Sequence, residues 1–530
     1  MVFFIVIYVV CALYMVLNFK YDLQMFQQNS YRLDRYWRWL KPNIMNAWRL
    51  MDAACFLLLF ATQLIDFRLA SLFVGIVAVI KTIMILRVKY KKPLVFTKRV
   101  WRLYSVILIL SLGAVISTAV ATWGKYYGIY AGAELTLGLI FLLSVFSWII
   151  LMIAHIILIP VEKNIQQSYI NDARRILKSM PDLKIIGITG SYGKTSTKHY
   201  LTRILGEEYD VLMTPGSFNT PMGVVRTIRE YMKPYNQIFV CEMGAKQKGD
   251  IKEICDIVHP TMGIVTAVGP MHLESFKTIE NVRDTKFELV DDLPSSGCAV
   301  INNDFPQCAD RVVNSTRCLR YGITNPNGCD YIAKDIRYGA SGTKFLVVGP
   351  DDLQFEVETR LLGECNVSDL LAAIVIALNM GMSPDKIKYA VSTIEQVEHR
   401  LSIKTTPGGV TILDDAFNSN PSGSKMAIDV LSQFKEGKRI IVTPGMIELG
   451  GEQFNLNEQF GRQIGEHLDV AIIVGEYNRE AITKGINATD FNKSNLYEVA
   501  SFNEAQSVLA KILKKGDAVL YENDLPDTFK

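Results

Sequence analysis

Residues 184–200, KIIGITGSYGKTSTKHY, decide how the central part of this chain folds. An apolar strand at Lys184–Ile188 leads into a glycine-rich loop, Thr189–Thr195, and then into the start of a helix. Glycine lets such a loop turn its backbone N–H groups toward one anion, and the helix N-terminus also favours phosphate. The stretch therefore predicts a binding loop for a nucleoside triphosphate, with candidate contacts at Gly190, Ser191, Gly193, Lys194, Thr195 and Ser196.

This loop departs from the common pattern G-x-x-x-x-G-K-[ST], because Ile188 stands where that pattern has glycine. What remains is T-G-x-x-G-K-T after a strand and before a helix. Lys194 supplies a mobile positive charge and Thr195 a hydroxyl at the helix start. Strand, loop, Lys-Thr and helix together are specific enough to predict a nucleoside triphosphate as the ligand.

Composition divides the chain unevenly. Of the 530 residues, 49% are hydrophobic. The first third resembles a membrane protein in composition, whereas the rest is typical of a soluble α/β enzyme. The net charge of +3 gives no basic footprint for nucleic acid. The 9 cysteines form no C-x-x-C pair, so neither a zinc site nor a disulfide framework is predicted.

The first third is predicted to form an α-helical transmembrane domain at residues 1–160. We expect five membrane helices, with four as the alternative count, because the second apolar run is short and the third contains Lys81. We interpret Lys81 as a snorkelling or buried, paired side chain, and the basic, aromatic stretch Tyr31–Trp39 as an interfacial anchor or a site for an anionic lipid head group. The apolar runs are Met1–Leu17, Ala53–Ile65, Leu69–Leu86, Val106–Thr122 and Leu135–Ile159.

Basic residues cluster after the first and third runs, at Lys20–Arg49 and Arg87–Arg102, and are sparse in the other connections. The positive-inside rule places both basic segments in the cytoplasm. The prediction is a multi-pass protein of a bacterial plasma membrane, with the start of the first helix outside and the phosphate loop in the cytosol, where ATP is found.

The middle of the chain alternates strand and helix patterns, which predicts an open parallel sheet. Glu242 ends the strand Gln237–Cys241, and His272 follows the strand Met262–Ala267. Strand ends face one crevice, so Glu242 is a candidate ligand for magnesium beside the triphosphate. For His272 the residues alone leave two roles open, a hydrogen-bonding side chain or a metal ligand. Lys286 has the pattern of an ordinary solvated lysine.

A second α/β pattern follows Pro407-Gly408-Gly409, and its strands are predicted at Thr411–Leu413, Arg439–Thr443, Val470–Val474 and Ala518–Tyr521. Asp414 and Asp415 end the first of these strands, where they could cap the next helix or face a ligand. We therefore predict a central ATP-binding domain at residues 161–402 and a smaller Rossmann-like α/β domain at residues 403–530.

Ten segments in chain order resemble the Mur ligases, most closely the MurF-like branch that joins D-alanyl-D-alanine to a muramoyl tripeptide. They are ITGSYGKTS, GSFNTPMG (216–223), CEMGAKQKGDI (241–251), AVGPMHLESF (267–276), the lysine helix (284–290), INND (301–304), GECNVSDLLAA (363–373), HRL (399–401), LDDAFNSNP (413–421) and GMIELG (445–450).

The resemblance implies roles for individual residues. Thr195 and Glu242 would bind one Mg²⁺, and His272 would bind a second. Lys286 matches a lysine that many of these enzymes carbamylate, which would turn a cation into a carboxylate-like metal ligand. Asn302 and Asp304 would lie against adenine, Arg400 would reach the ATP phosphates, and Asp415 would bind the ribose. Asn219 and Asn418 are candidates on the substrate side.

The resemblance also implies acyl-phosphate chemistry, with ATP and Mg²⁺ required. A carboxylate would take the γ-phosphate of ATP, and an amino acid or dipeptide amine would displace phosphate to form an amide during cell-envelope synthesis. The family's domain for the uridine diphosphate sugar has no counterpart, so a lipid-linked glycan or muropeptide in the bilayer is the expected acceptor. The alternative is an ATPase that powers a transporter or flippase. Cys365 and Asp369 replace the usual His and Asn.

Overall fold

The computed structural model describes residues 2–61, 66–88, 90, 92–123, 129–339, 342–397, 400–416 and 419–524. The chain divides into two compact units, which meet in sequence between Gln166 and Gln167. The domain limits expected from the sequence, at residues 160 and 402, remain predictions.

The first unit is helical. Within the described residues, four helices are long and apolar enough to cross a membrane, which equals the alternative count from the sequence. They are Phe4–Gln28, Phe67–Arg87, Lys98–Thr122 and Ser147–Lys178. Part of the predicted second run, residues 62–65, lies outside the described residues. In the described residues the helices are α1 (Val2–Gln28), α2 (Leu33–Asn43), α3 (Ala47–Phe60), α4 (Phe67–Arg87), α5 (Lys98–Trp123), α6 (Ile129–Val145) and α7 (Ser147–Lys178).

The predicted fifth run, Leu135–Ile159, is interrupted at Phe146, between α6 and α7. The amide of Phe146 still donates to Leu142, and the amide of Ile150 still donates to Phe146. The carbonyl of Ser144 instead accepts a hydrogen bond from Asn18 Nδ2 at 3.2 Å. A side chain that enters the helical ladder in this way bends a helix, so α6 and α7 form one kinked run.

Charged side chains inside this unit are paired. Lys81 Nζ donates to Asp52 at 2.6 Å, and the Tyr14 hydroxyl donates to the same carboxylate at 2.8 Å. Arg49 Nη2 donates to Asp22 at 2.6 Å. Both members of each ion pair are almost fully buried, as they must be in an apolar bundle. The buried, paired interpretation of Lys81 is therefore confirmed.

The second unit contains a nine-stranded sheet in the order β2-β3-β1-β4-β5-β6-β7-β8-β9, counted in the described residues. Strands β2 to β6 are parallel with β1, and β7, β8 and β9 form an antiparallel extension. The strands are β1 (Lys184–Thr189), β2 (Val211–Met213), β3 (Ile238–Glu242), β4 (Met262–Val265), β5 (Cys298–Asn302), β6 (Arg317–Gly322), β7 (Tyr331–Gly339), β8 (Gly342–Val348) and β9 (Gln354–Thr359).

Helices cover both faces of this sheet, as the near-continuous apolar strands require. One apolar core lies between the sheet and the helices α8, α14 and α15, and another lies between the sheet and α9, α10 and α12. The helices are α8 (Lys194–Leu205), α9 (Pro221–Tyr231), α10 (Asp250–Val258), α11 (Leu273–Phe276), α12 (Ile279–Asp291), α13 (Pro306–Ala309), α14 (Glu364–Asn379) and α15 (Pro384–Ser392).

A second, six-stranded sheet has the order β10-β11-β15-β12-β13-β14 and is parallel except for β10. The two α/β domains and the helical first unit confirm the predicted fold class. The strands are β10 (Ser402–Thr405), β11 (Thr411–Asp415), β12 (Arg439–Thr443), β13 (Val470–Val474), β14 (Leu496–Val499) and β15 (Ala518–Glu522), and the helices are α16 (Pro421–Ser432), α17 (Gln453–His467), α18 (Arg479–Asn487) and α19 (Phe502–Ile512).

Candidate active site

The predicted phosphate loop occupies Gly190–Gly193, between β1 and α8. Two of its positions need glycine. A Cβ on Gly193, whose φ is +78°, would lie 2.1 Å from Oδ1 of Asp369, and a Cβ on Gly190 would lie 2.1 Å from Oγ1 of Thr266. Because glycine has no side chain, the loop can pass close to Asp369 and Thr266 at these two positions. It then leads into α8, whose N-terminal backbone N–H groups can bind an anion.

Lys194 begins α8 and folds back over this loop. Its ammonium donates to the carbonyl oxygens of Gly190 at 2.7 Å and Ser191 at 3.3 Å, and burial lowers its pKa to about 8. The Ser191 hydroxyl donates to the carbonyl of Gly269, so it ties the loop to the segment after β4. Ser196, also predicted to contact ATP, lies almost buried in the first turn of α8.

Glu242, at the end of β3, lies beside Thr195. The Thr195 hydroxyl donates to Glu242 Oε2 at 3.2 Å, Lys198 Nζ lies 3.0 Å from the same oxygen, and Asn219 Nδ2 donates to Oε1 at 2.9 Å. Burial opposes ionisation of Glu242, but the charges of Lys198 and Lys194 outweigh it and lower the pKa. The carboxylate is therefore ionised and fixed in direction.

Thr195 and Glu242 fit a magnesium ion that ATP brings with it. Mg²⁺ is commonly held by one or two protein oxygens together with substrate phosphates. The described residues contain no group of three or more His, Cys, Asp or Glu side chains that could hold a metal ion. Asn219, predicted on the substrate side, contacts the Glu242 carboxylate, and its substrate role stays a prediction.

His272 and Lys286 define a second part of the site. His272, just before α11, has a left-handed backbone with φ of +54°, and its Nδ1 is bonded to Glu448 of the C-terminal domain. Lys286, in α12, is buried, and that burial together with the nearby charge of Lys194 lowers its pKa to about 7. Histidine and lysine fit a second magnesium only if the lysine carries a carboxylate, as carbamylation would provide.

Residues near the boundary between the two α/β domains complete this part of the site. Arg400 Nη2 lies 3.4 Å from Oγ1 of Thr195, at the start of α8. Asp415, at the end of β11, accepts the backbone N–H of Leu401 at 3.1 Å, and burial raises its pKa to about 6 against the influence of Arg400. Arg400 therefore lies beside the nucleotide loop. Its contact with the ATP phosphates and that of Asp415 with the ribose stay predictions.

Asn302 and Asp304 are held by the protein itself. Asn302 Nδ2 donates to the carbonyl of Thr266 at 2.8 Å, and the Asp304 carboxylate accepts the backbone N–H groups of Ile323 and Thr324. These hydrogen bonds hold the loops that follow β5 and β6. Contact of Asn302 and Asp304 with adenine stays a prediction. Asn418, predicted to be catalytic and substrate-binding, lies outside the described residues.

Sequence reasoning missed three charged residues of this site. Lys198 is one helical turn beyond Lys194, a spacing that could have suggested a shared face. Glu448 lies in the GMIELG segment but received no role there, and its contacts with His272 and Lys246 join residues far apart in the sequence. Glu522, buried at the end of β15 beside Asp415 in register, accepts hydrogen bonds from two serines at the start of α16.

Comparison with known protein families gives two consecutive matches. Residues 188–377 match the Mur ligase middle domain, and residues 399–521 match the domain described as the Mur ligase, glutamate ligase domain. Both matches lie in the second unit and together contain the phosphate loop, Glu242, His272, Lys286, Arg400 and Asp415.

Two curated relatives that the chain resembles are named UDP-N-acetylmuramoyl-tripeptide–D-alanyl-D-alanine ligase. The protein from Mycobacterium tuberculosis is 34% identical over 241 residues, which are 45% of this chain and 47% of the relative. The protein from Bacillus subtilis is 29% identical over 239 residues, 45% of this chain and 50% of the relative. This chain thus spans about half the length of the curated relatives it matches.

Solved structures agree on the fold. The MurF ligase from Thermotoga maritima in complex with ADP has a TM-score of 0.61 and 27% identity, over 68% of this chain and 80% of that chain. A MurF structure from Acinetobacter baumannii, 24% identical, has a TM-score of 0.62 over 68% of this chain and 77% of that chain.

Proposed function

The chain belongs to the Mur ligase family through its middle and C-terminal domains, and on that premise we propose that it is a membrane-bound, ATP-dependent ligase that joins a carboxylate to an amine. The observation that carries the proposal is the meeting of both domains at the phosphate loop, where Lys194, the Thr195–Glu242 pair and Arg400 lie together.

The chain's own residues perform the phosphoryl transfer chiefly by placing charge. A substrate carboxylate attacks the γ-phosphorus of ATP, the bond to the β-phosphate oxygen breaks, and an acyl phosphate and ADP result. Lys194 and Arg400 hold positive charge beside the phosphates, and the loop amides before α8 donate to their oxygens. Glu242 and Thr195 would hold Mg²⁺, which neutralises phosphate charge when bound.

The amide then forms as an uncharged amine attacks the acyl carbonyl and inorganic phosphate leaves. Closure of the C-terminal domain, with Arg400 at Thr195 of the loop, would keep water from the acyl phosphate. Lys286 is assigned to carbamylation: its neutral amine adds CO₂ and releases a proton, which leaves an anionic carbamate. Its lowered pKa supports this assignment, because only the neutral amine reacts.

The acceptor is proposed to be lipid-linked and to belong to cell-envelope synthesis, with an amino acid or dipeptide as the amine. The relatives act, by name, on a UDP-muramoyl tripeptide and D-alanyl-D-alanine. In this chain, helices long and apolar enough to cross a membrane precede the ligase domains. An acceptor that resides in the bilayer gives those helices a purpose beyond tethering.

The test compares two acceptors with the purified full chain in lipid nanodiscs. One is an undecaprenyl-linked muropeptide and the other is the matching UDP-linked muropeptide, each supplied with ATP and D-alanyl-D-alanine. We expect amide product, identified by its mass, to form faster with the lipid-linked acceptor. Equal rates would reject the lipid-linked acceptor but keep the ligase, whereas ATP hydrolysis without any amide product would reject the ligase itself. The transporter alternative receives no support from the family matches or the relatives.

A further inference from the structure

The segment GMIELG, residues 445–450, connects β12 to the short turn before α17 and lies against the central domain. The backbone carbonyl of Glu448 accepts the N–H of Glu274 at 3.4 Å, and a Cβ on Gly450 would lie 3.1 Å from the same nitrogen. Glu448 has a left-handed backbone, with φ of +63°. This unusual conformation aims the Glu448 side chain back toward the residues that precede α11.

The carboxylate of Glu448 is shared between two basic side chains of the central domain. Oε2 is bonded to Nδ1 of His272, and Oε1 lies 3.3 Å from Nζ of Lys246. A carboxylate can only accept, so Nδ1 of His272 must carry the hydrogen. The other ring nitrogen, Nε2, then keeps its lone pair in the neutral imidazole. Lys246 holds the carboxylate from its other side, which limits rotation of the Glu448 side chain.

We propose that Glu448 is a positioning residue that fixes His272 in the Nδ1–H tautomer, so that Nε2 is the nitrogen offered to magnesium. This inference rests on the proposed function, in which His272 is a metal ligand. Metal-binding histidines commonly donate their other N–H to a carboxylate, which sets the tautomer and the ring orientation. Here the carboxylate comes from the C-terminal domain and the histidine from the central domain.

A consequence follows for the order of events. His272 gains its fixed tautomer only when the 445–450 segment lies on the central domain. Occupation of the second metal position is therefore coupled to docking of the C-terminal domain, the same movement that brings Arg400 to Thr195. Premature phosphoryl transfer would be disfavoured, because the complete metal site would exist only in the closed enzyme.

The competing explanation is that Glu448 merely forms an interdomain ion pair. An ion pair would influence domain docking but would not select one tautomer of His272. The two explanations are separated by Glu448→Gln, which can still accept the Nδ1–H through its amide oxygen but has lost the negative charge. A positioning role predicts that Glu448→Gln retains much of the effect that Glu448→Ala loses.

The experiment uses the full chain in detergent micelles with a non-hydrolysable ATP analogue. Bound Mn²⁺ is counted by electron paramagnetic resonance as a probe for magnesium, and the His272 tautomer is read from ¹⁵N chemical shifts. We expect two Mn²⁺ in the native chain, and in Glu448→Ala a second site weakened about tenfold or more with the Nδ1–H signal lost. Glu452→Ala, an exposed glutamate nearby, is the control and should match the native chain.

Unchanged affinity at both sites in a folded Glu448→Ala protein would overturn the proposal, as would loss of the Nδ1–H signal in Glu448→Gln equal to that in Glu448→Ala. A native chain with one Mn²⁺ site, or a His272→Ala variant that keeps two, would overturn it by removing His272 as a ligand. All of these outcomes concern metal binding and the His272 tautomer, and none depends on amide formation by the native chain. Failure of the inference and failure of the proposed function are therefore distinguishable.

Discussion

At the scale of single residues, Lys194 has the clearest expected effect. Lys194→Ala removes the ammonium that lies over the loop carbonyls and leaves the fold in place. We expect amide formation to fall by about a hundredfold or more, because a fixed charge on the transferring group is lost. Product and ADP release are measured together, and Lys404→Ala, an exposed lysine on β10, serves as the control. Full coupling in Lys194→Ala would contradict the mechanism.

Asp369 is a residue whose ionisation opposes folding. It lies almost buried against Gly193, and burial raises its pKa from 3.8 to about 8, although Thr197, Arg400 and Lys194 act in the other direction. The unfolded chain loses this proton near pH 4 and the folded chain near pH 8. The contribution of protonated Asp369 to the free energy of unfolding is therefore complete below pH 4, and it declines as the pH rises toward 8.

Asp369→Asn removes this titration and is close to isosteric. We expect the variant and the native chain to have similar thermal midpoints at pH 4, and the variant to be more stable by a few kcal/mol, at order of magnitude, at pH 8. Thermal unfolding of the full chain in detergent across this range measures the difference. A difference that does not depend on pH would show that Asp369 is ionised in the folded protein.

At the scale of helices, α3 and α4 are joined by the Lys81–Asp52 ion pair, which also receives the Tyr14 hydroxyl from α1. Lys81→Met leaves a buried carboxylate without its cation, and we expect a loss of about 3–5 kcal/mol in stability. Lys81→Met combined with Asp52→Leu removes both charges and should recover most of that loss. Thermal midpoints measured in detergent distinguish the single from the double variant. Lys98→Met, at the exposed start of α5, is the control.

Elements made of local, buried apolar runs were predictable from the sequence. Strands β1, β3 and β4 and the glycine-rich loop lie where the pattern placed them, within two residues. The antiparallel strands β7 to β9 were missed, because their alternating pattern on a half-exposed sheet is weak. The contact of His272 with Glu448 spans 176 positions and leaves no local signal at either residue. Lys198 was missed for a different reason, since a buried lysine resembles any other lysine in sequence.

At the scale of the whole molecule, the directions of α1 and α4 bear on membrane topology. The rings of Phe4 and Phe67 stack with centroids 5.7 Å apart, and further along both helices Nζ of Lys81 lies 4.9 Å from the ring centroid of Tyr14. The two helices are therefore parallel, and their C-terminal ends lie on one side of the bundle. Each end is followed by a basic segment, and the positive-inside rule predicts that this side is cytoplasmic.

Two parallel helices that both cross a bilayer require the chain between them to return, and α3 is the apolar helix in that connection. We therefore expect Asp66→Cys, just before α4, to react with a membrane-impermeant maleimide in intact cells. Arg38→Cys and Val95→Cys, which lie in the two basic segments, should react only after the membrane is permeabilised. The native chain, whose cysteines in the described residues are buried or half-buried, supplies the background. Equal reactivity of Asp66→Cys and Arg38→Cys in intact cells would contradict the return through α3, because both positions would then lie on the outer side.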